Sequence, residues 1–165
     1  MYTKLSPALF LFFLIALVCC SPKPMTKVVV RPASCADHVQ FAEAAAPGYL
    51  FEFAGIVRKP VYMAFHVPWV ESCTYMEKQV YHHPDLASFF NRKFINYKIN
   101  AGGSTPGPEL AQHFNVTVYP TQLFVDSYGK VIWRYEGPMS ASQLLDAGYR
   151  ISDSLEKEFA ASGEE

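Results

Sequence analysis

The sequence predicts an α/β domain, and three observations lead to this fold class. Short apolar runs of strand length alternate with segments of helical spacing, in the order β-α-β-α-β-β-α. Only the last two strands follow each other directly, through a short glycine-bearing turn. Half of the 165 residues are apolar and 15% are aromatic, which suffices for one sizeable core. We therefore expect a single domain in which helices flank a central sheet.

The elements follow in order from residue 37. Asp37 is expected to cap a short helix that Pro47-Gly48 ends. Apolar residues at positions 50, 53, 54 and 57 share one helical face, which predicts a helix over Tyr49–Val57. Lys59-Pro60 ends that helix, and the apolar run Val61–His66 is short enough for a central buried strand.

The second half of the chain continues the alternation. Helical spacing extends from Tyr75 to Pro84, and Asp85 is expected to cap the next helix. A capping-box pattern, Ser140 with Gln143, opens a last helix that runs through Phe159. Between them we expect a strand at Ile95–Ile99, a helix from Pro108 to about Phe114, and a hairpin of Gln122–Asp126 with Lys130–Glu136.

The charge of the chain argues against one class of partner. The formal net charge is −1, without the excess of Lys and Arg that nucleic-acid-binding domains carry. The only acidic cluster, Glu164-Glu165, is expected to be a solvated tail. We therefore expect no nucleic-acid partner.

The N-terminus indicates export. The thirteen residues from Ala8 to Cys20 are apolar, too few to span a hydrocarbon core of roughly 30 Å but typical of a signal peptide. The run ends in Cys19-Cys20 and resembles a bacterial lipoprotein processing site. This resemblance implies a lipoprotein-type signal peptide over 1–20, lipidation of Cys20, and a periplasmic or cell-envelope protein anchored to the membrane. Plain secretory cleavage and an uncleaved anchor are the alternatives.

A proline-bearing segment, 21–36, is expected to tether a folded domain that spans 37–162. Lys27–Val30 within it could add an edge strand. Cys35 also lies there and, in an oxidising compartment, could either pair with Cys73 or stay unpaired. The sequence leaves both possibilities open.

One stretch, Trp69-Val70-Glu71-Ser72-Cys73, lies between the strand at Val61 and a helix, and Tyr119-Pro120-Thr121 precedes a later strand. Together with Lys59-Pro60 and Pro84-Asp85, this order resembles the thioredoxin superfamily from about residue 49 to 159. The hallmark of that family is Trp-Cys-x-x-Cys at a strand-to-helix junction, with a cis-proline loop packed against it. The resemblance implies a thioredoxin-like fold with a mixed sheet of four to five strands flanked by helices.

Two parts of the family's exchange machinery are absent. The first cysteine of the pair, whose thiolate a helix N-terminus stabilises, is replaced by Val70, which has no ionisable proton. Neither Glu71 nor Ser72 replaces that thiol. Active members also carry a buried acid six positions earlier, where this chain has Ala64. These departures argue against dithiol turnover.

Cys73 is the remaining thiol, the site's single candidate for catalysis. The family places the second cysteine beneath the site, so Cys73 is expected to be a buried, inert side chain. The alternatives are a monothiol that forms a mixed disulfide with a partner or with Cys35, and a metal ligand.

The resemblance also implies a binding face. The backbone beside the cis-proline pairs with extended peptides in this family, and the tryptophan is part of the surface that contacts substrate. The leading hypothesis is therefore an exported protein that binds a protein or peptide partner through this face without dithiol turnover. The candidate binding residues are Trp69, Val70, Glu71, Ser72, Tyr119, Pro120 and Thr121.

Two other functions remain open. The first is a monothiol oxidoreductase or isomerase that acts through Cys73, with or without Cys35. The second, weaker one is metal handling, since His66, His82, His83 and His113 accompany Cys73. Copper-handling relatives use a paired-cysteine motif that this chain lacks, so we expect neither a metal nor a cofactor.

Overall fold

The computed structural model describes residues 37–42, 47–104 and 106–162. The expected signal peptide (1–20), its lipidation residue Cys20 and the tether (21–36) with Cys35 lie outside these residues and stay predictions. Within the described ranges, no helix is both long enough and apolar enough to cross a lipid bilayer.

A four-stranded mixed sheet forms the centre, as expected from the alternating order of elements. The strands are β1 (Val61–His66), β2 (Ile95–Asn100), β3 (Thr121–Val125) and β4 (Val131–Glu136). They lie side by side in the order β2-β1-β3-β4. The pair β1 and β2 is parallel, whereas β3 is antiparallel to both β1 and β4.

Helices cover both faces of the sheet. They are α1 (Pro47–Val57), α2 (Glu71–Tyr75, continued by a π-helical turn Met76–Val80), α3 (Pro84–Lys93), α4 (Gly107–His113) and α5 (Ala141–Ser162). Along β1, side chains alternate between two cores because successive residues of a strand point to opposite faces. Tyr62 and Ala64 pack in the core that contains α3 and α5, and Met63 and Phe65 pack in the core that contains α1 and α4.

The helix expected after Asp37 is wrong for residues 37–42, which are not helical. Phe41 forms a parallel bridge with Asn96 of β2, and the Ala42 N–H donates to the Asn96 carbonyl over 2.7 Å. Two buried amides hold this segment: Asn91 Oδ1 accepts from the Gln40 N–H, and Asn96 Nδ2 donates to the Gln40 carbonyl. The segment thus satisfies the outer edge of β2, which outweighs its local helix signals.

The helix ends agree with their local signals in one case and differ in two. The capping box at α5 is confirmed, since Gln143 N–H donates to Ser140 Oγ and Ser140 N–H to Gln143 Oε1. Pro47 begins α1 rather than ending a preceding helix. Asp85 lies in the first turn of α3, where Pro84 takes the first position because its missing N–H needs no partner there.

Candidate functional site

The segment Trp69–Cys73 lies at the carboxyl end of β1, where the chain turns into α2. Val70 is the N-cap residue, with φ −96° and ψ 120°, and its carbonyl accepts the N–H groups of Cys73 (3.1 Å) and Thr74 (3.3 Å). Its half-buried side chain makes no capping hydrogen bond. An aliphatic group therefore stands where the helix N-terminus would favour a thiolate.

Cys73 lies in the first turn of α2, with 5% of its surface exposed. Burial raises the pKa of its thiol, and a hydrogen bond with the backbone of Val67 acts in the opposite direction. Among the described residues Cys73 is a free cysteine. At neutral pH the sulfur is therefore both covered and protonated.

A buried polar cluster occupies the sheet face beside Ala64, where the family's acid would lie. Gln122 is the partner of Ala64 in the β1–β3 register. The Tyr62 hydroxyl donates to Gln122 Oε1 and lies 3.4 Å from the Tyr81 hydroxyl. Burial raises the pKa values of Tyr62 and Tyr81, so both hydroxyls stay protonated. Such a cluster does not accept a proton from a thiol.

One acid on the helix that follows the site, Glu77, forms an ion pair with a neighbouring strand. Both carboxylate oxygens of Glu77 accept from Lys98 Nζ, at 2.9 and 3.0 Å. Lys98 is the β2 residue in register with Ala64. The partner of this lysine is therefore an acid on the helix, whereas the strand position beside it holds alanine.

The histidines do not form a metal site in the part of the chain described. No group of three or more His, Cys, Asp or Glu residues is arranged to hold a metal ion there. His66 is half-buried; burial and the charge of Lys98 lower its pKa, and Glu77 opposes them. His82 lies elsewhere, with its ring 5.5 Å from that of His38.

Trp69 is a largely exposed aromatic residue of the candidate face. The residue has 72% of its surface exposed, and the outer edge of its indole lies against Gly102 in the loop after β2. A Cβ at Gly102 would be 2.7 Å from the indole Cζ3 and would overlap the neighbouring ring atoms. This glycine was not recognised in the sequence, although its pairing with Gly103 beyond a strand end could have drawn attention to it.

The Tyr119–Pro120 peptide bond is cis. Thr121 pairs with Phe65, so this loop lies at the same end of the sheet as Trp69. The Pro120 carbonyl accepts the Gly137 N–H at 2.8 Å. In contrast, neither the N–H nor the C=O of Tyr119 has a hydrogen-bond partner among the residues that the structure describes.

The candidate binding residues do not all reach the surface. Trp69 and Glu71 are exposed, and Val70, Ser72 and Tyr119 are half-buried. Pro120 and Thr121 are buried, and the Thr121 hydroxyl donates to the Val118 carbonyl at 2.7 Å. These two residues shape the loop instead of contacting a ligand through their side chains. Val118, which the sequence did not single out, is exposed beside them.

Comparison with known proteins identifies similar folds. A family model described as a thioredoxin-like domain matches residues 53–149. Among solved structures, a candidate disulphide-isomerase from Bacteroides thetaiotaomicron is 31% identical, with a TM-score of 0.59 over 68% of this chain and 92% of its own. No curated protein matches the sequence.

Two further solved structures are similar in fold alone, since each is 20% identical. One is described as DsbH oxidoreductase, with a TM-score of 0.57 over 79% of this chain and 95% of its own. The other is the oxidised C-terminal domain of DsbD from Neisseria meningitidis, with a TM-score of 0.54 over 68% of this chain and 98% of its own.

Proposed function

Because the chain belongs to the thioredoxin-like family, we propose that it is an exported member that binds a protein or peptide and does not turn over a pair of thiols. The binding face is formed by Trp69 and the Tyr119–Pro120 loop. One observation carries the proposal: the surface beside the family's redox site is exposed, while Val70 caps α2 where the attacking thiol belongs. Export and lipid attachment at Cys20 rest on the leader sequence.

The chemistry of thiol exchange supports the first half of the proposal. A thiolate must attack the substrate disulfide, and a second thiol must resolve the mixed disulfide. Val70 provides no sulfur, and the Cys73 sulfur is buried with a raised pKa. Ala64 cannot accept a proton, and the Glu77 carboxylate is engaged by Lys98. Val70 and Cys73 thus disfavour the attack and the resolution steps, and Ala64 disfavours the proton transfer that accompanies them.

The exposed surface supports the second part of the proposal, the binding of a protein or peptide. An extended peptide can add main-chain hydrogen bonds to unpaired backbone groups, and the N–H and C=O of Tyr119 lack partners among the described residues. Trp69 and Val118 add exposed apolar area at the same end of the sheet. Large aromatic surfaces of this kind supply much of the binding energy in protein recognition.

The rival function, a monothiol oxidoreductase acting through Cys73, has less support. A thiol that attacks disulfides needs access to solvent and a substantial thiolate fraction at neutral pH. Burial removes the access to solvent. By raising the pKa of Cys73, it also reduces the thiolate fraction. Cys35, its possible partner, lies outside the described residues.

Reduction of insulin by dithiothreitol tests the absence of turnover. We expect the wild-type chain to accelerate precipitation of the insulin B chain no more than Cys73→Ser does. Val70→Cys is the matched gain-of-function variant, because it places a thiol at the N-cap of α2 three residues from Cys73. It should raise the rate above both. Wild-type turnover well above that of Cys73→Ser would contradict the proposal.

A further inference from the structure

We propose that the segment recognised by this face carries an arginine, whose guanidinium stacks on the exposed indole of Trp69 and pairs with Glu71. The inference rests on the proposed function and specifies the chemistry of its ligand. It follows from the charge of the face, the position of the indole and the absence of a competing cation.

The face carries one formal charge. Its three segments are residues 68–75, 101–104 and 118–121, and among their side chains only Glu71 is charged at neutral pH. Glu71 is exposed and takes part in no ion pair among the described residues. A ligand cation therefore has one unopposed carboxylate to meet, two residues from Trp69.

Two basic side chains on neighbouring strands of the sheet are engaged by other groups. Lys98 of β2 is held by Glu77. Arg134 of β4 pairs with Glu136 and donates to the carbonyls of Phe114 and Asn115, at 2.8 and 2.9 Å. The three segments of the face themselves contain no Lys or Arg.

The indole of Trp69 lies close to Gly102. The outer edge of its six-membered ring approaches this glycine, where the missing Cβ leaves room for it. The residue as a whole is 72% exposed, so aromatic surface is open to a ligand. Tryptophan is also the aromatic side chain that attracts cations most strongly.

Arginine fits these two groups better than lysine. Its planar guanidinium can stack on an aromatic ring while its N–H groups bind a carboxylate in a bidentate manner. Glu71 has an alternative role, since a carboxylate in the first turn of α2 opposes the positive end of the helix dipole. That role affects stability alone, and a binding measurement separates the two.

The test compares three sets of eight-residue peptides of alternating valine and threonine, titrated calorimetrically into the full-length chain. In each set arginine, citrulline or glutamate takes every position in turn. Citrulline is the matched control, because it keeps the shape of arginine without its charge. We expect the best arginine peptide to bind about tenfold more tightly than its citrulline counterpart.

Three variants assign the effect to the proposed groups. Glu71→Gln should reduce the preference for arginine, and Trp69→Leu should remove most of it. Gly102→Ala keeps both groups but displaces the indole, so it should also weaken the preference. Glu158→Gln, an exposed acid on α5, should leave the preference unchanged.

The possible results are distinct. Equal affinity for arginine and citrulline peptides, or a preference that Glu71→Gln leaves intact, would overturn the inference while peptide binding itself stands. Failure of every peptide to bind would overturn the proposed function and this inference together. An arginine preference that needs Trp69, Glu71 and Gly102 supports both.

Discussion

Position 70 would stabilise an ionised side chain but holds valine, whereas position 73 holds an ionisable thiol but disfavours its ionised form. The N-cap position at residue 70 lies next to backbone N–H groups that would stabilise an anion, but valine has no group to ionise. Cys73 has such a group, but burial raises its pKa. The position suited to a thiolate thus lacks sulfur, and the sulfur that is present lies in a position that suppresses the thiolate.

Alkylation kinetics of Cys73 test this description. At pH 7 we expect iodoacetamide to label Cys73 in the native protein far more slowly than in denaturant, because the sulfur is both covered and protonated. Since the pKa is raised, the native rate should increase only at a pH above that needed for an ordinary cysteine, whose pKa is about 8.5. Peptide mapping by mass spectrometry separates Cys73 from the three other cysteines. Native labelling as fast as in denaturant would contradict the burial.

The helices show how far local signals control an element. The capping box Ser140/Gln143 has the same pattern in the sequence and in the structure, because its two hydrogen bonds involve only residues three positions apart. The segment 37–42 behaves differently, since Asn91 and Asn96 bind its backbone from other parts of the chain. Local propensity decided the first element, and tertiary contacts decided the second.

Removal of the Ser140 cap tests how much this local signal contributes to the stability of α5. Ser140→Ala should reduce the free energy of unfolding by about 1 kcal/mol, because the Gln143 N–H loses its side-chain acceptor. Urea unfolding of the full-length chain measures the difference. Ser154→Ala, an exposed position within α5, is the matched control and should change stability by less than about 0.5 kcal/mol. Equal effects of the two variants would mean that the cap does not contribute.

For the molecule as a whole, the polar cluster of Tyr62, Tyr81 and Gln122 links β1, β3 and the end of α2 inside an otherwise apolar core. Gln122 is fully buried, and its Nε2 has no hydrogen-bond partner among the described residues. The amide oxygen of Gln122 accepts a hydrogen bond from the Tyr62 hydroxyl. The stability of the fold depends on keeping these two groups together.

A double-mutant cycle tests that dependence. Tyr62→Phe should lower the free energy of unfolding by about 1–3 kcal/mol, because Gln122 Oε1 loses its donor in a buried environment. The double variant Tyr62→Phe with Gln122→Leu should recover much of this loss, since both polar partners are then absent. Chemical unfolding of the single and double variants gives the coupling energy. Strictly additive losses would show that the two side chains do not interact.

Much of the candidate site could be predicted from the sequence because it depends on residues close together in the chain. The order of strands and helices and the position of residues 69–73 at a strand end are of this kind. The residues that pack against the site could not be predicted in this way. Gly102 lies against Trp69 and Gln122 lies beside Ala64, and these contacts join residues 33 and 58 positions apart, which no local pattern indicates.

The sequence by itself determined the alternating α/β order, because periodicity is a local property. Its resemblance to the thioredoxin superfamily then implied the particular fold and the place of Val70 at the position of the attacking thiol. The tertiary structure alone decided which groups surround the site. It buried Cys73, engaged Glu77 with Lys98, and left Glu71 without an ion pair among the described residues, two positions from the exposed Trp69. The physical reason is that burial, pKa and charge pairing depend on distances in space, and packing of distant segments sets those distances.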